Sequence, residues 1–438
     1  MHRTTPRAVR GVAAFAVGVL VLSLAACGSE EPAAPAGGTA SAHGGGSLDV
    51  VTRWAAGNSA AAAQKRVFDA YTKETGTTVN VTEGLEAIDD QVETAIAAGK
   101  SPDLVIVNLF DKTVGWLDAG VTVPVDQYVK DWGLEARMKP EALDEWRVAG
   151  GELQGLPFSG FSWPFWYNTE LLTKAGVASV PTTTDQLIDA ARKLRAAGIG
   201  PVAVGGKDWS GQKLFYQIAQ SFTDAKTMQK VMQEGGYCST PTVMNGIKLF
   251  TDLRDAKVFV DNAAGLSADD MYATYYSGKA AIMSAGSWAY TESKASGTGI
   301  ETRTTLGGFP VPSGAVYAKP TAYQGFTGVG FLITKQGASP EKIGRIKALI
   351  TKFYDQATVG DFVKDAGILP PVTGDFASYA TDPLTAKSLD LDAEVDHAVL
   401  PDVWIGSASD TITQVLTGAY GNATPQEICE GLDNATKG

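Results

Sequence analysis

The chain has 438 residues, of which 36 are lysine or arginine and 48 are aspartate or glutamate, so its net charge at pH 7 is −12. This acidic balance, with no cluster of basic residues, argues against nucleic acid or an anionic membrane surface as a partner, because phosphate contacts need lysine and arginine.

Residues 1–26 are predicted to be a secretory signal peptide. A lead with three arginines precedes an apolar run at 11–24, which is too short to span a bilayer comfortably. The run closes with Leu-Ala-Ala-Cys, and small residues before a single cysteine resemble the bacterial lipoprotein signal, which is cleaved so that the cysteine carries the lipid. Cys27 is therefore the predicted lipidation site. The alternative is an ordinary cleaved signal in which Cys27 has no role.

Residues 27–47 are predicted to comprise the lipidated cysteine and a flexible linker that follows it. They are mostly Gly, Ala, Ser, Pro and Thr, with almost no large apolar side chain that could contribute to a core. Without the signal the chain has 33 basic and 48 acidic residues, a net charge of −15. We therefore expect an exported protein that is anchored to the cell membrane by its N-terminal lipid and acts outside it.

The folded part begins with alternating strands and helices. Strands are predicted at 48–54, 77–82 and 103–107, and helices at 60–74 and 88–98. This alternation predicts a parallel sheet covered by helices on both faces. Ligands of such sheets bind beyond the carboxyl ends of the strands, and the residues found there are Arg53, Trp54, Glu83 and 108–111.

A second mixed region begins near residue 155. Helices are predicted at 184–197, 212–222, 241–255, 340–354 and 410–417, and strands at 201–204, 280–283 and 331–334. Roughly 390 residues follow the linker, which is more than one domain's worth. No later apolar run approaches the ~20 residues of a membrane helix.

The remaining cysteines and histidines limit the chemistry. Cys238 and Cys429 are in no metal-binding spacing, so in an oxidising compartment they either form a disulfide or remain two separate buried thiols. His397 is the only histidine after the linker, which excludes a multi-histidine metal site and leaves a histidine-dependent nucleophile only one possible base. The sequence has no GxSxG, GxxxxGK[ST] or HExxH motif. We expect neither a cofactor nor a metal.

Five motifs occur in a recognisable order. They are AAGKSPDLV at 97–105, GELQGLP at 151–157, WYNTELLTKAG at 166–176 followed by PTT at 181–183, YSGKAAIM at 276–283 followed by GSW at 286–288, and GILP at 367–370. Together with the lipoprotein signal, they resemble the extracellular solute-binding lipoproteins of ABC importers, in the branch related to maltose-binding protein. The likeness covers nearly the whole mature chain. It departs at 151–152, where Gly-Glu stands in place of the family's Asp-Gly.

The resemblance implies an α/β, two-lobed periplasmic-binding-protein fold. Each lobe would be a mainly parallel sheet flanked by helices, with a hinged ligand cleft between the lobes. We expect lobe one at 48–155 and 312–372, and lobe two at 156–311 and 373–438. Cys238 and Cys429 would then share lobe two, where a disulfide is geometrically permissible.

Candidate ligand-binding residues are aromatic or planar polar side chains at strand ends and in loops, because pyranose rings stack on flat apolar faces and hydroxyl groups pair with amides and carboxylates. For each of them the alternative is core packing or an ordinary surface position. They are Trp54, Glu83, Asn108, Asp111, Trp163, Trp209, Trp288, Tyr323, Gln324 and Trp404. We expect Trp288 to be the main stacking residue, and within the aromatic loop at 161–167 we expect Trp163 to face the cleft.

The leading functional hypothesis is capture of an extracellular carbohydrate, a mono- or oligosaccharide, by a monomer that delivers it to the ABC permease subunits in the membrane. The same fold could instead bind a polyol, a peptide or an anion. A secreted glycoside hydrolase is the competing enzyme class, since carboxylates such as Glu83 and Asp111 could be paired. No residue pattern assigns either carboxylate an acid role, so we expect no enzyme activity. A sensory role that passes ligand occupancy to a receptor also stays open.

Overall fold

The structure is a computed structural model that describes residues 45–84, 87–147 and 151–437. The predicted signal peptide, Cys27 and the linker up to residue 44 lie outside the described residues. The strands are β1 Ser47–Thr52, β2 Thr78–Glu83, β3 Leu104–Val107, β4 Leu156–Trp163, β5 Phe165–Asn168, β6 Gly200–Ala203, β7 Ala280–Ser284, β8 Thr304–Gly307, β9 Thr321–Ile333 and β10 Asp396–His397.

The α-helices account for most of the remaining chain. They are α1 Ala61–Thr75, α2 Ile88–Ala97, α3 Asp126–Asp131, α4 Pro140–Glu145, α5 Thr169–Lys174, α6 Thr184–Ala196, α7 Trp209–Ala219, α8 Ala225–Glu234, α9 Pro241–Asp255, α10 Ala268–Tyr276, α11 Ala289–Ala295, α12 Ile343–Phe353, α13 Gln356–Ala366, α14 Pro383–Asp390, α15 Asp402–Ile405, α16 Ser409–Gly421 and α17 Pro425–Lys437. In the part of the chain that the structure describes, none of the helices combines the length and apolar character needed to cross a bilayer.

Local sequence signals explain where several helices begin and end. Thr183 and Gln186 form a reciprocal capping box at the start of α6, which satisfies backbone N–H groups that a helix leaves unpaired. The helix α1 ends at Gly76, whose φ of 69° lies in the left-handed region that glycine adopts without steric cost. These are the boundaries that the sequence pattern predicts best.

The first sheet has the order β10-β9-β3-β1-β2, and β4 pairs with β9 beside this path. The strands β2 and β3 both run parallel to β1, as the sequence predicts, whereas β9 is antiparallel to β3 and to β4. Its core is packed by α1, α12 and α13 and includes Phe158, Phe331, Phe353 and Phe362.

The second sheet has the order β6-β7-β5-β8 and carries a separate core. Only β6 and β7 are parallel, because β5 is antiparallel to both β7 and β8. The expected α/β fold with two lobes is confirmed, but the expectation that each sheet is mainly parallel is wrong for this one. The aromatic segment at 161–167, expected to be a loop, belongs to strands β4 and β5.

The long strand β9 is the largest difference from the predicted elements, since only 331–334 was expected to be a strand. Its first ten residues contain Gly325, Gly328 and Gly330 and have no continuous apolar run. Two of these glycines are required by the close approach of β4. A Cβ atom at Gly328 would lie 2.5 Å from the Ser159 carbonyl oxygen, and one at Gly330 would lie 2.5 Å from that of Leu156.

The expected disulfide between Cys238 and Cys429 is confirmed, with the two Cα atoms 5.0 Å apart. It ties α17 to the segment that precedes α9. Asp433 strengthens this connection, because its carboxylate accepts hydrogen bonds from the backbone N–H groups of Gly236 and Tyr237 at 2.6 and 2.7 Å. The C-terminal helix is therefore part of the second core.

Candidate functional site

An aromatic cluster forms where β4, β9 and the starts of α7 and α11 meet. We use this name for the rings of Phe161, Trp163, Trp209, Trp288 and Tyr323, and the side chains of Tyr317, Ala398 and Leu400 pack in the same place. The ring centroid of Trp163 lies 5.1 Å from that of Trp288 and 5.6 Å from that of Trp209, with interplanar angles of 87° and 78°. Phe161 and Tyr323 each lie 6.2 Å from Trp163. Four of the ten predicted ligand-binding residues thus lie together in edge-to-face packing.

Trp163 forms the buried floor of the cluster, with only 2% of its surface exposed. It pairs with Tyr323 across β4 and β9, and its indole Nε1 donates a hydrogen bond to Ser284 Oγ at 3.1 Å. Tyr323 is also buried, and its hydroxyl donates to the backbone oxygen of Lys213 at 2.9 Å. These two residues therefore support the cluster from inside the protein.

Trp209 and Trp288 form the half-buried rim of the cluster. Their ring centroids are 6.1 Å apart and their planes are inclined by 60°. Trp209 is the first residue of α7, where Asp208 caps the helix by accepting the Ser210 N–H at 3.0 Å. A Cβ atom at Gly286 would overlap the Trp288 ring, so this glycine allows the indole to fold back against the chain.

The predicted residues at the carboxyl ends of β1, β2 and β3 are placed differently. Trp54 is buried in the first core, where its ring lies 5.0 Å from Phe362 and 5.8 Å from Phe158. Glu83 is exposed, and its carboxylate accepts the Ala56 N–H at 2.9 Å. Trp54 thus contributes to core packing and Glu83 stabilises a loop, and neither side chain belongs to the aromatic cluster.

Asn108 and Asp111 follow β3 at a seam between distant parts of the chain. Asn108 is half-buried, and its Oδ1 atom is buried without a hydrogen-bond partner among the described residues. Asp111 begins the 3₁₀ turn Asp111–Gly115, which lies against Asp402–Ile405 and Gly406–Ala408. An unpaired buried acceptor is costly, so Asn108 stands out among the residues of this seam.

Gln324 and Trp404 complete the set of predicted residues. Gln324 is half-buried on β9, opposite Ser162 and next to Tyr323 of the cluster. Trp404 is half-buried on α15 and packs against the second core. Successive side chains of a strand point to opposite faces, so Gln324 lies on the other face of β9 from Tyr323. The side chain of Trp404 contributes to the packing of the second lobe.

A buried ion pair near β9 has no counterpart in the sequence analysis. Lys213 Nζ contacts Asp402 Oδ1, and the two side chains are only 10% and 7% exposed. The second carboxylate oxygen of Asp402 accepts a hydrogen bond from the Thr327 hydroxyl at 3.2 Å. The ion pair joins residues 189 positions apart, so no local spacing could have predicted it.

Glu145, at the end of α4, forms a hydrogen bond with the backbone of β9. It was not among the residues that the sequence predicted to be functional. Its Oε2 atom accepts the Phe326 N–H at 2.5 Å, while Trp146 Nε1 donates to the Phe326 carbonyl oxygen at 2.7 Å. Burial, together with the negative charges of Asp402 and Glu141, raises the pKa of Glu145 to about 8, although the Phe326 hydrogen bond opposes this shift. Its carboxyl group is therefore largely protonated at neutral pH.

The chemistry available at the aromatic cluster is recognition by ring faces. Within the described ranges, no group of three or more His, Cys, Asp or Glu side chains is arranged to hold a metal ion. The indole N–H groups of Trp163 and Trp288 are both bonded to protein oxygens. The half-buried ring of Trp288 consequently offers its carbon surface to a neighbouring molecule, whereas Trp163 lies buried beneath it.

Comparison with solved structures supports the two-lobed fold. A probable secreted solute-binding lipoprotein from Streptomyces coelicolor is 34% identical, with a TM-score of 0.79 over 90% of this chain and 98% of that one. A chitin oligosaccharide binding protein shares the fold at 24% identity, with a TM-score of 0.78 over 89% of this chain and 98% of the other.

Curated relatives match more limited segments. A probable sugar-binding periplasmic protein of Rhizobium meliloti is 27% identical over 202 residues, or 45% of this chain and 47% of the relative. A protein of the same description from Brucella melitensis is 28% identical over 281 residues, 62% of this chain and 65% of the relative. The chain spans about half the length of the first of these relatives.

The family comparison covers most of the folded chain. Residues 56–358 match the family described as bacterial extracellular solute-binding protein. This range includes β2 through β9 and all members of the aromatic cluster. The chain belongs to the family of bacterial extracellular solute-binding proteins.

Proposed function

We propose that the protein is the substrate-binding component of an ABC importer, which captures an extracellular carbohydrate between its lobes and delivers it to a membrane permease. No bond of the ligand is made or broken in this process. Closure of the lobes over the sugar would create the form that docks productively on the permease.

The observation that carries this proposal is the aromatic cluster. Trp209 and Trp288 are its half-buried members, and they rest on the buried ring of Trp163. Aromatic faces suit the C–H faces of a pyranose ring, whereas an anion would need arginine or lysine in the same place. The cluster therefore favours a sugar over an anionic ligand.

Polar contacts to the sugar hydroxyl groups are proposed for Gln324 and Asn108. Gln324 is a half-buried amide next in sequence to Tyr323 on β9. The buried Oδ1 of Asn108 could accept a hydrogen bond from a ligand hydroxyl. Asp111 remains a proposed contact at the same seam. Trp54, Glu83 and Trp404 carry less weight in the proposal, because the first and last pack against cores and Glu83 holds a loop.

The lobe boundaries and the anchor complete the proposal. Lobe one would comprise 48–155 and 312–372, and lobe two 156–311 and 373–438, with β4 and β9 running along the connection between them. The protein would act as a monomer held at the membrane by a lipid on Cys27. The names of the Rhizobium and Brucella relatives, both described as sugar-binding periplasmic proteins, support the carbohydrate ligand.

A ligand screen tests this function directly. We expect one class of mono- or oligosaccharide to raise the melting temperature of the purified protein, since a ligand at a hundredfold excess over Kd adds about 2.7 kcal/mol to the free energy of unfolding. Trp288→Ala should abolish most of this shift. Trp132→Ala is the matched control, because Trp132 is a half-buried indole stacked on Tyr128 in the first lobe. A shift with only polyols, peptides or anions would contradict the carbohydrate assignment.

A further inference from the structure

The helix α10 forms two hydrogen bonds near the aromatic cluster, one with the residue that caps α7 and one with Trp288 of the cluster. The Asp208 carboxylate that caps α7 also accepts the N–H of Ala268, the first residue of α10, at 2.6 Å. One turn later, the hydroxyl of Tyr272 accepts a hydrogen bond from Trp288 Nε1 at 3.0 Å. The same helix is thereby linked to the segment that carries Trp209 and to the Trp288 side chain itself.

Tyr272 is held firmly enough to act as a fixed support. Its ring stacks on that of Tyr276, with centroids 5.8 Å apart and planes inclined by only 19°. The Tyr276 hydroxyl in turn donates to the backbone oxygen of Ala289, the residue after Trp288, at 3.2 Å. Burial raises the pKa of the Tyr272 phenol, so its hydroxyl stays neutral at physiological pH.

The hydrogen bond from Trp288 to Tyr272 restricts the indole in two ways. Rotation of the ring would break the bond and leave a half-buried N–H group without its acceptor. The bond also turns the N–H group toward α10, so that the indole meets a ligand with its carbon surface. A side chain already fixed in its binding orientation loses less conformational freedom when a ligand arrives.

We propose that Tyr272 is a positioning residue for ligand recognition, which fixes the orientation of the Trp288 indole within the aromatic cluster. This inference rests on the proposed carbohydrate-binding function, because it assumes that Trp288 stacks on the sugar. Tyr272 acts through Trp288, and its hydroxyl is the group that matters. The ring of Tyr272 contributes packing that a phenylalanine would preserve.

The test compares two Tyr→Phe substitutions on the same helix. Tyr272→Phe removes only the acceptor of the Trp288 hydrogen bond. Tyr275→Phe is the matched control, because the Tyr275 hydroxyl is bonded to Thr304 Oγ1 at 2.7 Å and its ring packs against Trp166 in the lobe interior. With the sugar identified in the screen, we expect Tyr272→Phe to raise Kd about three- to tenfold and Tyr275→Phe to leave it within twofold.

A double-mutant cycle separates positioning from a general loss of structure. In a Trp288→Phe background there is no indole N–H to orient, so Tyr272→Phe should change Kd less than twofold further. The tryptophan emission spectrum should also shift on Tyr272→Phe in the native background and not in Trp288→Phe. An equal loss of affinity in both backgrounds, or an unchanged Kd in the native background, would overturn the inference. Failure of the unmodified protein to bind any sugar would instead contradict the proposed function.

Discussion

The carboxyl ends of β1, β2 and β3 and the aromatic cluster both carry residues that the sequence pattern predicts to contact ligand, and the two regions are built differently. At the strand ends, Trp54 packs in the first core and Glu83 accepts the Ala56 N–H of the loop that follows β1. In the aromatic cluster, Trp163, Trp209 and Trp288 contact one another. A position near a strand end therefore does not by itself indicate a ligand-binding residue. Contact with other candidate residues is the stronger indication of a binding site.

The sharpest test of this difference compares the two most buried candidate indoles. Trp54 and Trp163 are 5% and 2% exposed, so replacing either with alanine should lower the free energy of unfolding by about 3–5 kcal/mol. We expect only Trp163→Ala to abolish the sugar-induced rise in melting temperature. Urea unfolding measures the first quantity and thermal shift the second. Equal loss of ligand response in both variants would remove the distinction between the regions.

A second prediction concerns the disulfide, whose two cysteines pack in the second core. Opening the Cys238–Cys429 bond, which closes a loop over a sequence separation of 191, should cost about 2–5 kcal/mol. Hydrogen exchange should rise in α17 and α9 on reduction and change little in α1 and α12. The double variant Cys238→Ala/Cys429→Ala is the control, since its unfolding should not respond to reductant. Equal exchange in both regions would show that the cores are not independent.

A third prediction concerns the buried carboxyl group of Glu145 and depends on pH. Burial raises the pKa of folded Glu145 from its ordinary value of 4.5 to about 8, so the folded state binds this proton more tightly than the unfolded state does. Its contribution to stability is present below about pH 4.5 and is lost as pH rises toward 8, with a slope of at most about 1.4 kcal/mol per pH unit.

Glu145→Gln should remove this contribution, because glutamine cannot titrate and its side-chain oxygen can still accept the Phe326 N–H. The difference in unfolding free energy between variant and native protein should therefore shift in favour of the variant from pH 5 to pH 8. Asp144→Asn, at an exposed position on the same helix whose charge is not among the causes of the Glu145 shift, serves as the control. Parallel stability curves for Glu145→Gln and the native protein would contradict the assigned pKa.

The sequence predicted the parts of the fold that local patterns determine. Alternating strands and helices predicted β1 to β3 with their parallel pairing, and the Gly-Ser-Trp sequence after β7 is the reason that Trp288 was a candidate ligand-binding residue. The burial of Trp54 in the first core could not be predicted, because it depends on contact with Phe362, which is 308 positions further along the chain. The pairing of Lys213 with Asp402 and the bond from Trp288 to Tyr272 likewise arise only in the folded chain.

The antiparallel strand β9 imposes an order on how the protein can fold. The strands β1, β2 and β3 are complete by residue 107, but their sheet gains its neighbour β9 only when residues 321–333 are available. The pairing of β3 with β9 therefore spans more than 200 residues of intervening chain. Such distant pairing makes folding slow. Until β9 is available, one edge of β3 lacks its partner strand.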